Sequence, residues 1–185
     1  MDRALVLLVC VFLLCGCQAV GNVSSISQEE DTVREGPFEF RYPKDWKINA
    51  EERQIQPSQR STILKFRHPK NRDCYILIEI ISIPSAGSSF TLQDAIAIQV
   101  RFFKQIFKHD GYGFNFRTTT TSLSGQPAAK LIMTGQNGNI KRTAVAQIAS
   151  FKDHFYAITY QWYDPWGMAI LNRLEQITGT FRFVK

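Results

Sequence analysis

The sequence has few features that could stabilise a secreted chain by covalent bonds or carry it across a membrane. It contains 4 cysteines in 185 residues, and Cys10 and Cys15 lie within the N-terminal segment 1–16. If that segment is removed and Cys17 is acylated, Cys74 is the single free thiol, so an intrachain disulfide is excluded in the mature domain. The apolar run at 4–14 is also too short for a membrane span, which needs about 20 residues.

Motifs that carry catalysis are missing as well. The sequence contains no nucleophile elbow, no Gly-rich phosphate loop and no zinc-ligand spacing. His68, His109 and His154 are far apart, each near a predicted turn, and we interpret them as solvated or satisfied rather than as ligands or bases. We therefore expect a protein without enzymatic activity, without a cofactor and without a metal site.

The composition is that of one globular domain with a basic surface. With 44% hydrophobic and 12% aromatic residues, the chain has enough apolar material for a core. The formal charge of +6 favours anionic surfaces, such as lipid headgroups, cell-wall polymers or nucleic acid, without choosing among them. Secretion would take the chain away from cytoplasmic nucleic acid, so we expect no nucleic-acid partner.

The N-terminus has the pattern of a lipoprotein signal peptide. A short apolar core precedes Leu14, Cys15, Gly16 and Cys17, and this string resembles the bacterial lipobox. Small residues before the cut allow the extended backbone into a peptidase cleft, and the Cys17 thiol is the nucleophile that takes the diacylglycerol. We predict a signal peptide at 1–16 and a membrane anchor of lipid on Cys17; an ordinary secretory signal is the alternative.

A polar stretch follows the lipidated cysteine. Residues 17–36 are rich in Ser, Glu and Gln and show no apolar periodicity, so we predict a lipidated flexible tether there and a folded domain at 37–185. Gln18, rather than Asp, follows Cys17. In a source with two membranes, this pattern is similar to that of outer-membrane lipoproteins facing the periplasm.

The domain is predicted to be α+β, with an antiparallel β-sheet and helices packed on its faces. Thr91 and Asp94 form a box-like capping pair that opens the first helix, and Pro165 occupies the first position of a second helix. The apolar stripe of the first helix is expected to comprise Leu92, Ala95, Ile96, Phe102, Phe103, Ile106 and Phe107, and the inward positions of the second are expected to be Ile170, Leu171, Leu174 and Ile177. Alternating or continuous apolar runs separated by turn signals predict the strands. These are expected at 38–42, after Trp46, and at 62–68, 74–83, 114–123, 128–134, 140–151, 155–162 and 181–183.

Several local strings, in this order, resemble the PsbP-like superfamily. The opening string is Phe38-Glu39-Phe40-Arg41-Tyr42-Pro43-Lys44-Asp45-Trp46. The later strings are Gly125-Gln126-Pro127-Ala128 with Leu131, Phe155-Tyr156-Ala157-Ile158-Thr159-Tyr160, and Phe181-Arg182-Phe183. The resemblance spans nearly all of the domain and implies a PsbP-like α/β/α sandwich. It is best matched by a bacterial lipoprotein of the DcrB-like or general PsbP-like kind.

The superfamily shares a fold rather than an activity, so the resemblance implies function only by analogy. It includes photosystem II extrinsic subunits, bacterial lipoproteins and a Ran-binding nuclear transport factor. We expect an accessory protein of the cell envelope that binds an unknown protein partner; a small-ligand or metal-binding lipoprotein is the alternative. A cyanobacterial source would place the chain in the thylakoid lumen instead.

Two groups of residues are candidate binding surfaces. Arg101, Lys104 and Lys108 recur one turn apart on the outer face of the first predicted helix, where solvation alone could account for them. The second group surrounds the junction of a strand and the second helix, where aromatic rings can line a pocket or fill a core. Its members are Trp162, Tyr163 and Trp166.

Overall fold

The computed structural model describes residues 29–48, 60–81, 90–164 and 167–184 of the chain. Strands β1 to β10 in these ranges are Glu30–Glu35, Phe38–Pro43, Lys47–Ile48, Arg60–His68, Asn71–Ile81, Asn115–Leu123, Gln126–Asn137, Ile140–Phe151, His154–Tyr163 and Arg182–Phe183. The helices are α1, Leu92–His109, and α2, Gly167–Thr178. The predicted α+β class, with an antiparallel sheet and helices on its faces, is confirmed.

The strands form two antiparallel sheets. The large sheet has the order β3-β4-β5-β9-β8-β7-β6, and the small sheet has the order β1-β2-β10. Consecutive strands β6 to β9 are neighbours, while α1 carries the chain from the middle of the large sheet to its edge at β6. The edge position of β6 follows from this connection.

The folded domain begins before Pro37, contrary to the predicted boundary. Strand β1 pairs with β2 residue by residue, from Glu30 opposite Pro43 to Glu35 opposite Phe38. Its side chains are mainly charged, but its backbone is hydrogen-bonded in a ladder and Val33 packs against the core. The part of the predicted tether at 30–35 is therefore a strand, whose polar composition concealed it. Residues 17–28 lie outside the described residues.

Two-residue turns join the consecutive strands β6, β7, β8 and β9 of the large sheet. Leu123 pairs with Gln126, so the first turn is Ser124-Gly125, and both of its residues have positive φ angles, 53° and 78°. Positive φ at both central positions is the geometry whose twist matches a hairpin. Short turns hold the strands in continuous register, without the shifts that occur between β4 and β5.

Helix α1 begins at the predicted cap. Thr91 Oγ1 accepts a hydrogen bond from the Asp94 amide at 3.2 Å, and the Thr91 amide donates to Asp94 Oδ2 at 2.8 Å. The Thr91 hydroxyl also donates to Asp94 Oδ2, at 2.6 Å, and this bond, followed by that from the Thr91 amide, lowers the pKa of the Asp94 carboxyl. Such a cap contributes about 1 kcal/mol because it satisfies amides that lack intrahelical partners.

The core between α1 and the sheet is built from aromatic rings against small residues. Phe103 and Phe107 are fully buried and pack in a cluster with Met133, Ala144 and Ala146. The predicted apolar stripe is largely confirmed, although Leu92, Phe102 and Ile106 are only partly buried. Its members were Leu92, Ala95, Ile96, Phe102, Phe103, Ile106 and Phe107. The alanines leave room for the rings, and burying each ring stabilises the fold by about 1.5–3 kcal/mol.

A second core lies on the opposite face of the large sheet. Helix α2 buries Ile170, Leu174 and Ile177 there, together with Phe38 and Phe40 of the small sheet. The predicted inward positions of α2 are thus confirmed, with Leu171 partly buried against the same cluster. The described part of the helix is Gly167–Thr178, and the predicted first position, Pro165, lies outside the described residues. No helix in the described ranges is long and apolar enough to span a membrane.

Candidate functional site

A cavity of about 660 Å³ opens on the α2 side of the large sheet, and we call it the sheet cleft. Strands β6 to β9 form its floor, and α2 forms one wall. Its lining residues are Asn115, Phe116, Arg117, Lys130, Ile132, Thr134, Lys141, Thr143, Val145, Trp162, Asp164, Leu171 and Glu175. The volume is within the range of small-molecule sites, roughly 300–1,000 Å³.

The strand register places the floor residues in two transverse rows. Side chains of residues that pair across neighbouring strands point to the same face of a sheet. One row contains Arg117, Ile132 and Val145. Arg117 of β6 pairs with Ile132 of β7, which in turn pairs with Val145 of β8. The neighbouring row is more polar and ends in an aromatic ring; its members are Asn115, Thr134, Thr143 and Trp162. The floor thus offers both apolar and hydrogen-bonding surface.

One wall of the sheet cleft is held by a polar triad. Lys130 Nζ lies 2.9 Å from Glu175 Oε1, and the Tyr160 hydroxyl donates to the same oxygen at 3.2 Å. Burial, and secondarily the Glu175 carboxylate, raises the pKa of Tyr160, so its hydroxyl remains protonated and can donate. Lys130 and Tyr160 therefore compensate the charge of Glu175, and these two contacts hold α2 against the sheet.

The described lining of the sheet cleft has an excess of positive charge. It contains Arg117, Lys130 and Lys141 against Asp164 and Glu175, which is 3 − 2 = +1. Lys130 forms an ion pair with Glu175. Arg117 and Lys141 are exposed and form no ion pair with any residue in the described ranges. An anionic group is therefore the complement of this lining. Among the residues that the structure describes, the lining contains no histidine and no cysteine.

Comparison with known proteins gives structural matches. No family model and no curated protein matches the chain. The solution structure of cyanobacterial PsbP (CyanoP) from Synechocystis sp. PCC 6803 is similar, with a TM-score of 0.61 and 17% identity, over 90% of this chain and 98% of that one. LpqN, involved in cell envelope biogenesis of Mycobacterium tuberculosis, has a TM-score of 0.49 and 13% identity, over 85% of this chain and 91% of that one.

The chain has a PsbP-like fold. The resemblance read from the sequence strings is thus confirmed for the fold, and at 17% identity it extends no further. In this PsbP-like fold, the opening string forms β2 and its following turn, while the string at 155–160 lies in β9. Both contribute rings to the core on the α2 side, notably Phe38, Phe40 and Tyr160. The strings that carry the resemblance therefore contain residues of the hydrophobic core.

The predicted aromatic junction is divided between the two faces of the sheet. Trp162 lines the sheet cleft and stacks on Tyr160, with ring centroids 5.8 Å apart. Tyr163 follows it directly in β9 and therefore points to the α1 side, where its ring lies 5.3 Å from the Arg142 guanidinium. These two residues therefore do not line the same pocket, their role in binding stays a prediction, and Trp166 lies outside the described residues.

The predicted basic face of α1 is exposed and distant from the sheet cleft. Arg101, Lys104 and Lys108 are all solvent-exposed, as expected, and none forms an ion pair with a described residue. They lie on the helix that covers the opposite face of the large sheet from the sheet cleft. Their role in binding stays a prediction.

The three histidines occupy separate elements. His68 ends β4, is buried, and accepts a hydrogen bond at Nδ1 from the Lys70 amide at 3.2 Å. His109 ends α1 and His154 begins β9, and both are exposed. Within the ranges that the structure describes, no group of three or more His, Cys, Asp or Glu residues could hold a metal ion. Cys74 is free and buried, and burial raises the pKa of its thiol to about 12.

Sequence reasoning missed the charged residues of the sheet cleft. Arg117, Lys130 and Lys141 lie on three different strands, and α2 adds Glu175. Each belongs to a segment predicted as a strand or helix, but only the pairing of the strands brings them to one face. The signal in the sequence was the single charge in each of the strands β6 and β7, Arg117 and Lys130, and the face on which each lies requires the correct register to interpret.

Proposed function

We propose that the chain is an accessory lipoprotein of the bacterial cell envelope, that lipid on Cys17 anchors it, and that it binds a protein partner without catalysing a reaction. The observation that carries the partner-binding part is the position of the sheet cleft beside the exposed strand β6. A protein partner can use the open backbone of such a strand and the side chains of the cleft together. The anchor rests on the lipobox pattern ending at Cys17.

The proposed location follows from the anchor. The domain would face the periplasm from the outer membrane in a source with two membranes, and the thylakoid lumen in a cyanobacterial source. Acyl chains contribute about 0.8 kcal/mol per buried CH₂, and one chain alone anchors only marginally, so firm attachment needs two or more chains on Cys17. Membrane contact through lipid is compatible with a domain whose cleft remains free for a partner.

The partner is tested by crosslinking the full chain in membranes of its host. A cleavable crosslinker, affinity purification and mass spectrometry should recover one protein in stoichiometric amount. An Arg117→Glu, Lys141→Glu double variant, with both changes at exposed lining residues, serves as a probe of the sheet cleft. A full chain that remains monomeric and partnerless under all conditions would contradict the proposal.

The anchor is tested independently with Cys17→Ser. Its hydroxyl cannot replace the thiol in the acyl transfer, so labelling by palmitate should be lost and the uncut precursor should accumulate. The cooperative unfolding of the domain should be unchanged, because the first described strand begins at Glu30, thirteen positions later (30 − 17). Mass spectrometry of the wild-type N-terminus decides the outcome, and any mature N-terminus other than acylated Cys17 would overturn the anchor.

A second candidate function is the binding of a small anionic ligand in the sheet cleft. The volume of about 660 Å³ and the two exposed cations Arg117 and Lys141 favour it. A ligand at a hundred times its dissociation constant would stabilise the fold by about 2.7 kcal/mol. Thermal unfolding in the presence of anionic lipid headgroups and wall fragments tests this, and the absence of any shift would exclude those ligands. The predicted alternative of a metal ligand is tested by the same measurement with divalent cations.

A further inference from the structure

Strand β6 is a long and regular edge of the large sheet. It pairs with β7 over nine residues without a register shift, and no strand in the described ranges pairs with its other side. The residues from Asn115 to Thr120 are all exposed, so neither helix covers this part of the strand on either face. An edge of this kind presents a row of backbone donors and acceptors to another chain.

The other edges of the two sheets are protected in ways that β6 is not. Edge strands usually avoid association by being short, charged, bulged or interrupted by proline. Strands β3 and β10 have two residues each, and β1 has the sequence EDTVRE, in which four of six side chains are charged. Strand β6 has the sequence NFRTTTTSL, with one charge, no proline and four consecutive threonines that favour an extended conformation.

The single charge of β6 indicates what the edge would bind. Arg117 faces the sheet cleft and is exposed, and neither it nor Lys141 of β8 has an ion-pair partner among the described residues. In a strand added beside β6, every second side chain would face the same side as Arg117, at a cross-strand distance of about 5 Å. Carboxylates at those positions would meet Arg117.

We propose that an extended acidic segment of a partner protein adds as a strand to β6 and places its carboxylates beside Arg117 at the mouth of the sheet cleft. This inference rests on the proposed partner-binding function and specifies its surface and the chemistry of the partner. A second copy of this chain is a poorer complement, because it would bring another Arg117 to the same edge in a protein with a formal charge of +6.

The first test measures peptide binding to the full chain in detergent micelles. The probes are two fluorescent eight-residue peptides, one of alternating Thr and Glu and one of alternating Thr and Lys. The acidic peptide should bind at least tenfold more tightly, and Arg117→Glu should reverse this preference. The control is Arg34→Glu, the same charge change at an exposed arginine of edge strand β1, which should behave as wild type. Equal binding of both peptides, or an equal effect of the two variants, would overturn the inference.

The second test separates this inference from the proposed function. A benzophenone amino acid replaces Thr120 of β6 or, as a control, Thr32 of β1, both exposed edge-strand threonines, in the full chain in host membranes. Position 120 should crosslink to an acidic segment of another protein. Crosslinks only from position 32, or from position 120 to a second copy, would overturn the inference and leave partner binding intact. No crosslinked protein from either position, together with no partner in the chemical crosslinking, would overturn both.

Discussion

Arg142 Nη1 lies 2.5 Å from Asp110 Oδ2, and this ion pair ties β8 to the C-terminal end of α1. The Arg142 side chain is 5% exposed, and its guanidinium also lies over the rings of Phe107, Tyr112 and Tyr163, at 4.8, 5.8 and 5.3 Å from their centroids. The charge is thus compensated by one carboxylate and three aromatic faces. This arrangement closes the core beneath α1.

Asp110→Ala should destabilise the fold by about 2–3 kcal/mol. Removing one partner of a fully buried pair costs about 3–5 kcal/mol. We expect a smaller loss here because the Asp110 side chain is 38% exposed. Adding Arg142→Met should recover part of the loss, because it removes the uncompensated buried charge. Urea unfolding measures both variants, and Lys108→Ala, an exposed change on the same helix, is the control. A double variant less stable than Asp110→Ala would contradict this account.

Gly135→Ala should destabilise the fold by roughly 1–3 kcal/mol through overpacking. A Cβ atom at this position would collide with the Gly113 carbonyl oxygen and lie 2.5 Å from Phe107 Cδ1. Gly113→Ala is the matched control, since its Cβ would meet only the Gln136 carbonyl oxygen, at 3.8 Å. The difference between the two urea midpoints checks the prediction, and equal midpoints would show that the collision is relieved by movement of the loop.

Gln99→Leu should cost about 2–3 kcal/mol, although leucine is similar in size. Gln99 is fully buried in α1, and its Nε2 donates to Glu79 Oε2 and Thr159 Oγ1, at 3.1 Å each. Leucine would remove a donor from a buried carboxylate, and hydrogen bonds to charged groups contribute about 1.5–3 kcal/mol. Gln105→Leu, at an exposed position of the same helix, should change stability by less than about 0.5 kcal/mol. Thermal unfolding of the two variants, compared at equal pH, measures the difference.

The stability of the fold should decrease on mild acidification, in part because of His68. Burial lowers the pKa of His68 from its usual 6.5, although the nearby Asp45 opposes the shift. The unfolded state therefore gains a proton at a higher pH than the folded state, and stability is lost as the pH falls from about 6.5 through the folded-state pKa. Protonation at Nδ1 would also break the hydrogen bond from the Lys70 amide.

His68→Asn removes this titrating group and tests its contribution. The free energy of unfolding of the variant should fall less steeply than that of the wild type between pH 7 and pH 5. At pH 8, the difference between the two free energies of unfolding gives the stability lost through packing alone. This difference is subtracted from the values at lower pH. Parallel curves for the two proteins over this range would show that other groups account for the acid sensitivity.

Much of the secondary structure could be predicted because its determinants are local. The Thr91 and Asp94 cap predicted the start of α1, and the apolar periodicity around Phe103 predicted its buried face. The alternation in 38–42 predicted β2, which extends to Pro43. Each signal involves residues within one or two turns of each other, so chain neighbours alone determine it. Strand β1 escaped prediction because its stability comes from pairing with β2 rather than from apolar side chains.

The sequence by itself determined the class of the fold and the order of its elements other than β1, and it contains the lipobox pattern from which lipid attachment at Cys17 is predicted. Only the tertiary structure decided which charged residues meet. Arg142 and Asp110 are 32 positions apart, and Lys130 and Glu175 are 45 apart. Their pairing therefore depends on the order of strands in the sheet and on where each helix packs against it. A shift of one residue in register would turn Arg117 and Lys130 to the opposite face. The sheet cleft exists because backbone pairing across four strands, joined by two-residue turns, holds that register.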